Sequence, residues 1–178
     1  MLITAVYLFA ICWILAQLEI QIEGPDGWVS KIPTWRLNAP WILRFTNGKP
    51  ITGYHVYLTA LLLALFHFPL IFIPFSKILE AKILSSYFLA TFIWDFQWFV
   101  WNPGWGIKRF FKDPIWWFPV KIMGFPLEYY LGLIASFLTV ALLSPTSLKQ
   151  WLDLVGWLIL ASFISVLLSM GVFQATER

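Results

Sequence analysis

Four acids and a histidine stand where an apolar chain rarely tolerates them. Glu19 and Glu23 are four residues apart near the end of one apolar run, with Asp26 three further on. His55 opens a second run, and Asp95 lies inside a third, seven residues before Asn102. Spacings of three, four and seven keep side chains on one helical face, so Glu19 joins Glu23, and Asp95 joins Trp98 and Asn102. Ionisable groups at membrane depth are costly and face a protein interior or a water-filled cavity. Around one pocket, Glu19, Glu23, His55, Asp95 and Asn102 could do general acid–base chemistry with a buried carboxylate. They could equally bind a divalent metal through imidazole and carboxylate ligands. Arg36 and the loop tryptophans would cover such a pocket. Asp95, Glu23 and His55 are the candidate catalytic residues; Glu19, Asn102, Arg36, Trp98 and His67 are candidate binding residues.

Each residue also has a purely structural reading. On that reading Asp95 pairs with His67, Gln17 or a loop arginine to fix helix packing, because buried acids are paired whatever their role. Glu23 and Asp26 become solvated loop acids, with Gly24-Pro25 interrupting the helix between them. His55 becomes an interfacial side chain and His67 a hydrogen-bonded packing residue. His67 lies twelve residues beyond His55, about 18 Å along a helix and a third of a turn around it, so the two do not serve one metal. "NPGWG" at 102–106 reads as a helix stop, and the tryptophans as an interfacial belt.

The elements that must position these groups are membrane spans. The chain of 178 residues is 60% hydrophobic and 12% charged, with a mean hydropathy of +0.77. A water-soluble domain cannot hide so much apolar surface. Five stretches, approximately 2–21, 54–75, 81–102, 127–144 and 150–173, have the length needed to cross about 30 Å of hydrocarbon. The backbone must satisfy its own hydrogen bonds in lipid, so runs of this length predict helices, not a barrel. The expectation is an all-α integral membrane bundle forming a single transmembrane domain over 1–178. Pro69 and Pro74 are expected to bend or shorten the second span. No Lys or Arg precedes the first span and no A-x-A-like site follows it, which reads as a retained span.

Five spans divide the positive charges unequally. One side receives Lys31, Arg36, Arg44, Lys49, Lys108, Arg109, Lys112, Lys121 and Arg178; the other receives Lys77, Lys82 and Lys149. The positive-inside rule makes the richer side cytoplasmic, with the N-terminus outside and the C-terminus inside the cell's cytoplasmic membrane. Two Trp-rich cytoplasmic segments exceed simple turns. The first runs from Glu23 to His55 and contains the turn signal Asn47-Gly48; the second follows Asn102 and alternates basic with aromatic residues. Both read as lying at headgroup level, with a short amphipathic helix near residues 107–111.

The signatures of familiar chemistries are missing: no H-E-x-x-H, no His box, no G-x-S-x-G and no phosphate loop. The two histidines share one span, which disfavours a bis-His haem. Cys12, the one cysteine, reads as a small packing residue. The scattered basic residues do not form a nucleic-acid-binding stripe. Gly132 with Ser136, and Ala161 with Ser165 and Ser169, form small-residue faces for close packing within the chain, between copies or with a membrane partner.

The segments "EIQIEGPDGW", "PTWR", "KPITGYH" and "WDFQWFVWNPGWG" together resemble a group of small, uncharacterised prokaryotic integral membrane proteins, over roughly the first 130 residues. The resemblance implies a membrane location and no substrate. In that group's pattern an acid precedes the equivalent of Asp95 and a histidine follows a tryptophan near 117; this chain has Trp94 and Phe118 there.

Three functions compete. The first is binding or processing of a lipid or apolar small molecule at a polar pocket near the cytoplasmic leaflet. The second is a non-catalytic subunit or assembly factor of a membrane complex. The third, a cation- or proton-coupled transporter, is weakened by the lack of a repeat. Convergence of the acids and His55 in one cavity favours the first; acids each locked to a private partner favour the second.

Overall fold

A computed structural model describes residues 1–46 and 48–176. Asn47, half of the expected Asn47-Gly48 turn, and Arg178, one of the nine positive charges, lie outside the described residues.

Among the described residues the fold is all-α, apart from two small ribbons. Seven helices run in the order α1 (Leu2–Glu23), α2 (Pro40–Phe45), α3 (Gly53–His67), α4 (Lys77–Trp101), α5 (Gly106–Lys112), α6 (Leu127–Leu143) and α7 (Leu148–Thr176). Strands β1 (Arg36–Leu37) and β2 (Ile51–Thr52) pair antiparallel, as do β3 (Lys121–Ile122) and β4 (Phe125–Pro126). Three helical segments are long and apolar enough to cross a membrane: Leu2–Glu23, Gly53–Ile71 and Pro145–Gln174.

The boundaries follow from local chemistry. Helix α1 runs two residues past the expected end and stops at Gly24, whose φ of 64° and ψ of −146° form a conformation that glycine, lacking a Cβ, adopts cheaply. Helix α3 stops at His67 and tightens into a 3-10 turn at Phe68–Ile71, because Pro69 has no N–H to continue the ladder. Helix α4 begins four residues before the expected start, where the Ser76 side chain accepts the Leu79 N–H at 3.1 Å.

Helix α4 is the axis of the bundle and packs against α1, α3, α5, α6 and α7. A helix enclosed by others need not show lipid an apolar surface, so it can carry Ser85, Gln97 and Asp95. Its upper half contributes Trp98 and Phe99 to a buried aromatic cluster with Phe110, Ile115, Trp117, Phe118 and Tyr129. Its lower half packs with Ala5, Leu8 and Cys12 of α1 and Leu154 and Leu158 of α7.

The small-residue faces are used inside the chain. Ser136 is fully buried; its hydroxyl donates to Ser85 O at 2.9 Å and accepts Trp151 Nε1–H at 2.8 Å. Ser165 donates to Gln97 Oε1 at 2.6 Å and accepts Trp101 Nε1–H at 2.8 Å. A Cβ added at Gly132 would lie 3.0 Å from the Phe92 ring.

Candidate functional site

The polar residues gather at the end of the bundle where α1 and α4 finish and α3 and α6 begin. A cavity of ≈ 130 Å³ there is lined by Glu19, Glu23, Trp28, His55, Thr91, Trp94, Asp95, Trp98 and Trp117. Ligating atoms of Glu19, Glu23 and His55 lie within 4.8 Å of one another. Of the candidates, the structure thus unites Glu19, Glu23, His55, Asp95 and Trp98. Arg36, Asn102 and His67 lie elsewhere.

The loop between α1 and β1 builds the roof. Gly24 and Gly27 have positive φ, and so do Trp28 and Val29, at 48° and 44°. A left-handed valine is a strained conformation that its surroundings must enforce. Here the Val29 N–H donates to Glu23 Oε1 at 2.9 Å, and Arg36 Nη2 donates to Val29 O and, at 3.3 Å, to Ile32 O. The same backbone places Trp28 against the imidazole of His55. Gly27 is needed for a second reason: a Cβ there would come within 2.6 Å of the Trp117 ring. Arg36 is therefore a loop clamp and contributes to the site through Val29.

Strand β2 delivers His55. Thr52 caps α3, its hydroxyl accepting the His55 N–H at 3.3 Å, and the same oxygen lies 2.6 Å from Nδ1. That contact turns Nε2 toward Glu23 Oε1, 4.0 Å away. The Glu23 side chain is only 5% exposed, so it is not the solvated loop acid of the structural reading. The loop folds back over it and supplies an N–H. Asp26, beyond the helix end, does sit in the loop, paired with Lys31.

Asp95 accepts a hydrogen bond from the hydroxyl of Tyr129 on α6. This corrects the expected partners. His67 sits at the far end of α3, bonded to Glu80 Oε1 at 3.2 Å and to Leu63 O at 2.7 Å, and Arg36 is occupied by carbonyls. Asn102, on the same face of α4 as Asp95, lies past the cavity. Its Nδ2 donates to Gly24 O at 2.8 Å and its Oδ1 accepts Gly104 N–H at 2.9 Å, which ties the end of α4 to the end of α1.

A larger apolar cavity of ≈ 530 Å³ lies among α4, α5, α6 and α7, with Phe92, Phe96, Leu133 and Phe163 in its walls. Tyr129 also lines it, so the Tyr129–Asp95 bond stands between the apolar cavity and the polar one. The second Trp-rich segment closes this end. Lys121 donates to Asp113 O at 3.1 Å and lies over the Phe110 ring; burial lowers its pKa, opposed by Asp113.

Sequence reasoning missed Tyr129, Thr52 and Tyr54, whereas Trp28 is one of the loop tryptophans expected over the pocket. Thr52, three residues before His55 at the start of an apolar run, carries a capping signal. Tyr129 has no local mark, because its partner is 34 residues away. No family model, curated protein or solved structure matches the chain.

Proposed function

We propose that this chain binds or processes a lipid or apolar small molecule, with the polar cavity facing the cytoplasmic leaflet and receiving its polar end. The observation that carries the reading is the convergence of Glu19, Glu23, His55 and Asp95, from three helices, in one cavity roofed by tryptophan. An assembly scaffold has no need to concentrate acids around an imidazole, since buried ionisable groups destabilise a bundle unless they are used. The polar cavity has room for about four waters or a small polar group. The apolar cavity beyond Tyr129 falls within the size range of ligand pockets.

The same reading has the chain cross the membrane five times. Helix α4 is screened from lipid by its neighbours, and the 17 residues of α6 reach about 25 Å, close to a bilayer core. The charge bias supports a cytoplasmic position for the two Trp-rich segments and the polar cavity.

Native mass spectrometry of detergent-solubilised wild type and Asp95→Asn tests the proposal. A bound lipid or small molecule retained by wild type and lost from a folded Asp95→Asn variant is the expected result. A chain that carries no such molecule, or leaves the membrane attached to another protein, overturns it in favour of a subunit or assembly factor.

A further inference from the structure

We propose that Glu19, Glu23 and His55 hold a divalent first-row transition-metal ion, with a coordination position left open to the polar cavity. The inference deepens the functional reading and rests on that cavity being a working site.

The ligand set has the right chemistry. Two carboxylates from successive turns of α1 and one imidazole from α3 converge with ligating atoms within 4.8 Å. Metal–ligand bonds of about 2.1 Å set donor atoms roughly 3–3.5 Å apart, so a small side-chain contraction suffices. Mixed imidazole and carboxylate donors suit zinc, manganese or iron in preference to calcium or magnesium. Three protein ligands leave room for water or substrate, as catalytic sites do.

Charge balance points the same way. Glu19 is 9% exposed and the Glu23 side chain 5%, yet among the described residues no lysine or arginine forms a salt bridge with either. A buried carboxyl group either takes up a proton or pairs with a cation, and a bound metal ion would supply that cation to both glutamates at once.

The supporting hydrogen bonds are in place. Val29 N–H holds Glu23 Oε1 at 2.9 Å, and the Tyr54 hydroxyl donates to Glu19 Oε1 at 3.5 Å. The Thr52 oxygen has two acceptor lone pairs, enough for the His55 backbone N–H and for Nδ1–H, which leaves Nε2 unprotonated for the ion. A second, independent feature is Trp98. It is 3% exposed and lines the cavity, and its buried Nε1–H has no hydrogen-bond partner among the described residues. A water on the open metal position offers that donor an acceptor.

The test uses the full chain in lipid nanodiscs, stripped with chelator and titrated with Mn²⁺ followed by electron paramagnetic resonance, and with Zn²⁺ followed by metal analysis. One ion per chain is expected, with nitrogen coupling from an imidazole. Glu19→Gln, Glu23→Gln and His55→Gln should each weaken binding by at least about 100-fold, while Asp95→Asn keeps the ion. Wild-type protein that binds no ion, or an ion without nitrogen coupling, overturns the proposal whether or not the variants fold. Bound lipid or small molecule, read by native mass spectrometry on detergent-solubilised protein from the same preparation, separates the two readings. Lipid without metal defeats the metal site alone, and metal without lipid defeats the lipid reading alone.

Discussion

The indole of Trp28 lies on the imidazole of His55, ring centroids 4.2 Å apart and planes 26° from parallel. Trp28 Nε1 also donates to Pro50 O at 3.2 Å, and Lys49 Nζ lies 5.2 Å from a Trp28 ring centroid. One side chain thus joins the loop after α1 to the segment entering α3, and fixes the histidine between them.

Trp28→Ala should therefore loosen both the roof and the histidine. Stacked aromatic pairs contribute about 0.5–1.5 kcal/mol beyond their buried area. Thermal unfolding in detergent should show a loss at least that large, with Trp28→Phe recovering part of it. Equal stability of all three proteins would show that the stack does not hold the roof.

Gly27→Ala should cost more than Gly24→Ala. Both glycines have positive φ, 64° at Gly24 and 63° at Gly27, so an alanine at either place is strained by about 1–3 kcal/mol. Only Gly27 adds a steric clash, with Trp117; Gly24 has open space around its missing Cβ. Parallel melts of the two variants isolate the clash, and equal losses would mean that Trp117 moves aside freely.

Tyr129→Phe keeps the ring among Phe92, Phe110 and Phe125 but removes the donor to Asp95. Leaving a buried acceptor without its partner costs about 1–3 kcal/mol. Chemical unfolding should read that loss, and a neutral result would show that Asp95 finds water or another donor at no cost.

Topology is checked by cysteine labelling. Met123, at the exposed tip of the β3–β4 turn, and Thr146, between α6 and α7, are expected on opposite sides of the membrane. Cys12 is fully buried and should give little background. An impermeant maleimide should label Thr146→Cys in intact cells and Met123→Cys only after permeabilisation. Labelling of both in intact cells would refute the five-span arrangement.

Hydropathy made the long helices legible, and proline and glycine marked where α3 and α1 stop. Helical spacing also placed Glu19 beside Glu23 and Asp95 beside Trp98. What spacing could not give was depth within the site. Asn102 shares a face with Asp95 but lies two turns further on, where it serves as a clamp. Arg36 was expected over the pocket and instead holds backbone carbonyls. Loop tryptophans were expected over the pocket, but which of the tryptophans are buried was hidden for a different reason: tryptophan is common both at a membrane interface and in a core, and composition does not separate them. Trp98 and Trp117 are buried, whereas Trp41 and Trp116 are exposed. The Tyr129–Asp95 bond depends on how two distant helices pack, which no local pattern encodes.

Helix α3 buries only Gly53 and Leu62, and ties at its two ends fasten it: the Tyr54 N–H bond to Thr34 and the Trp28–His55 stack at one, the His67–Glu80 contact at the other. The histidine of the polar cluster therefore rides on the helix that is least embraced by protein. An outward swing of α3 would carry His55 away from Glu19 and Glu23 and open the cavity sideways. A molecule dissolved in the bilayer would then have a doorway that never passes through water, with the histidine as part of the door.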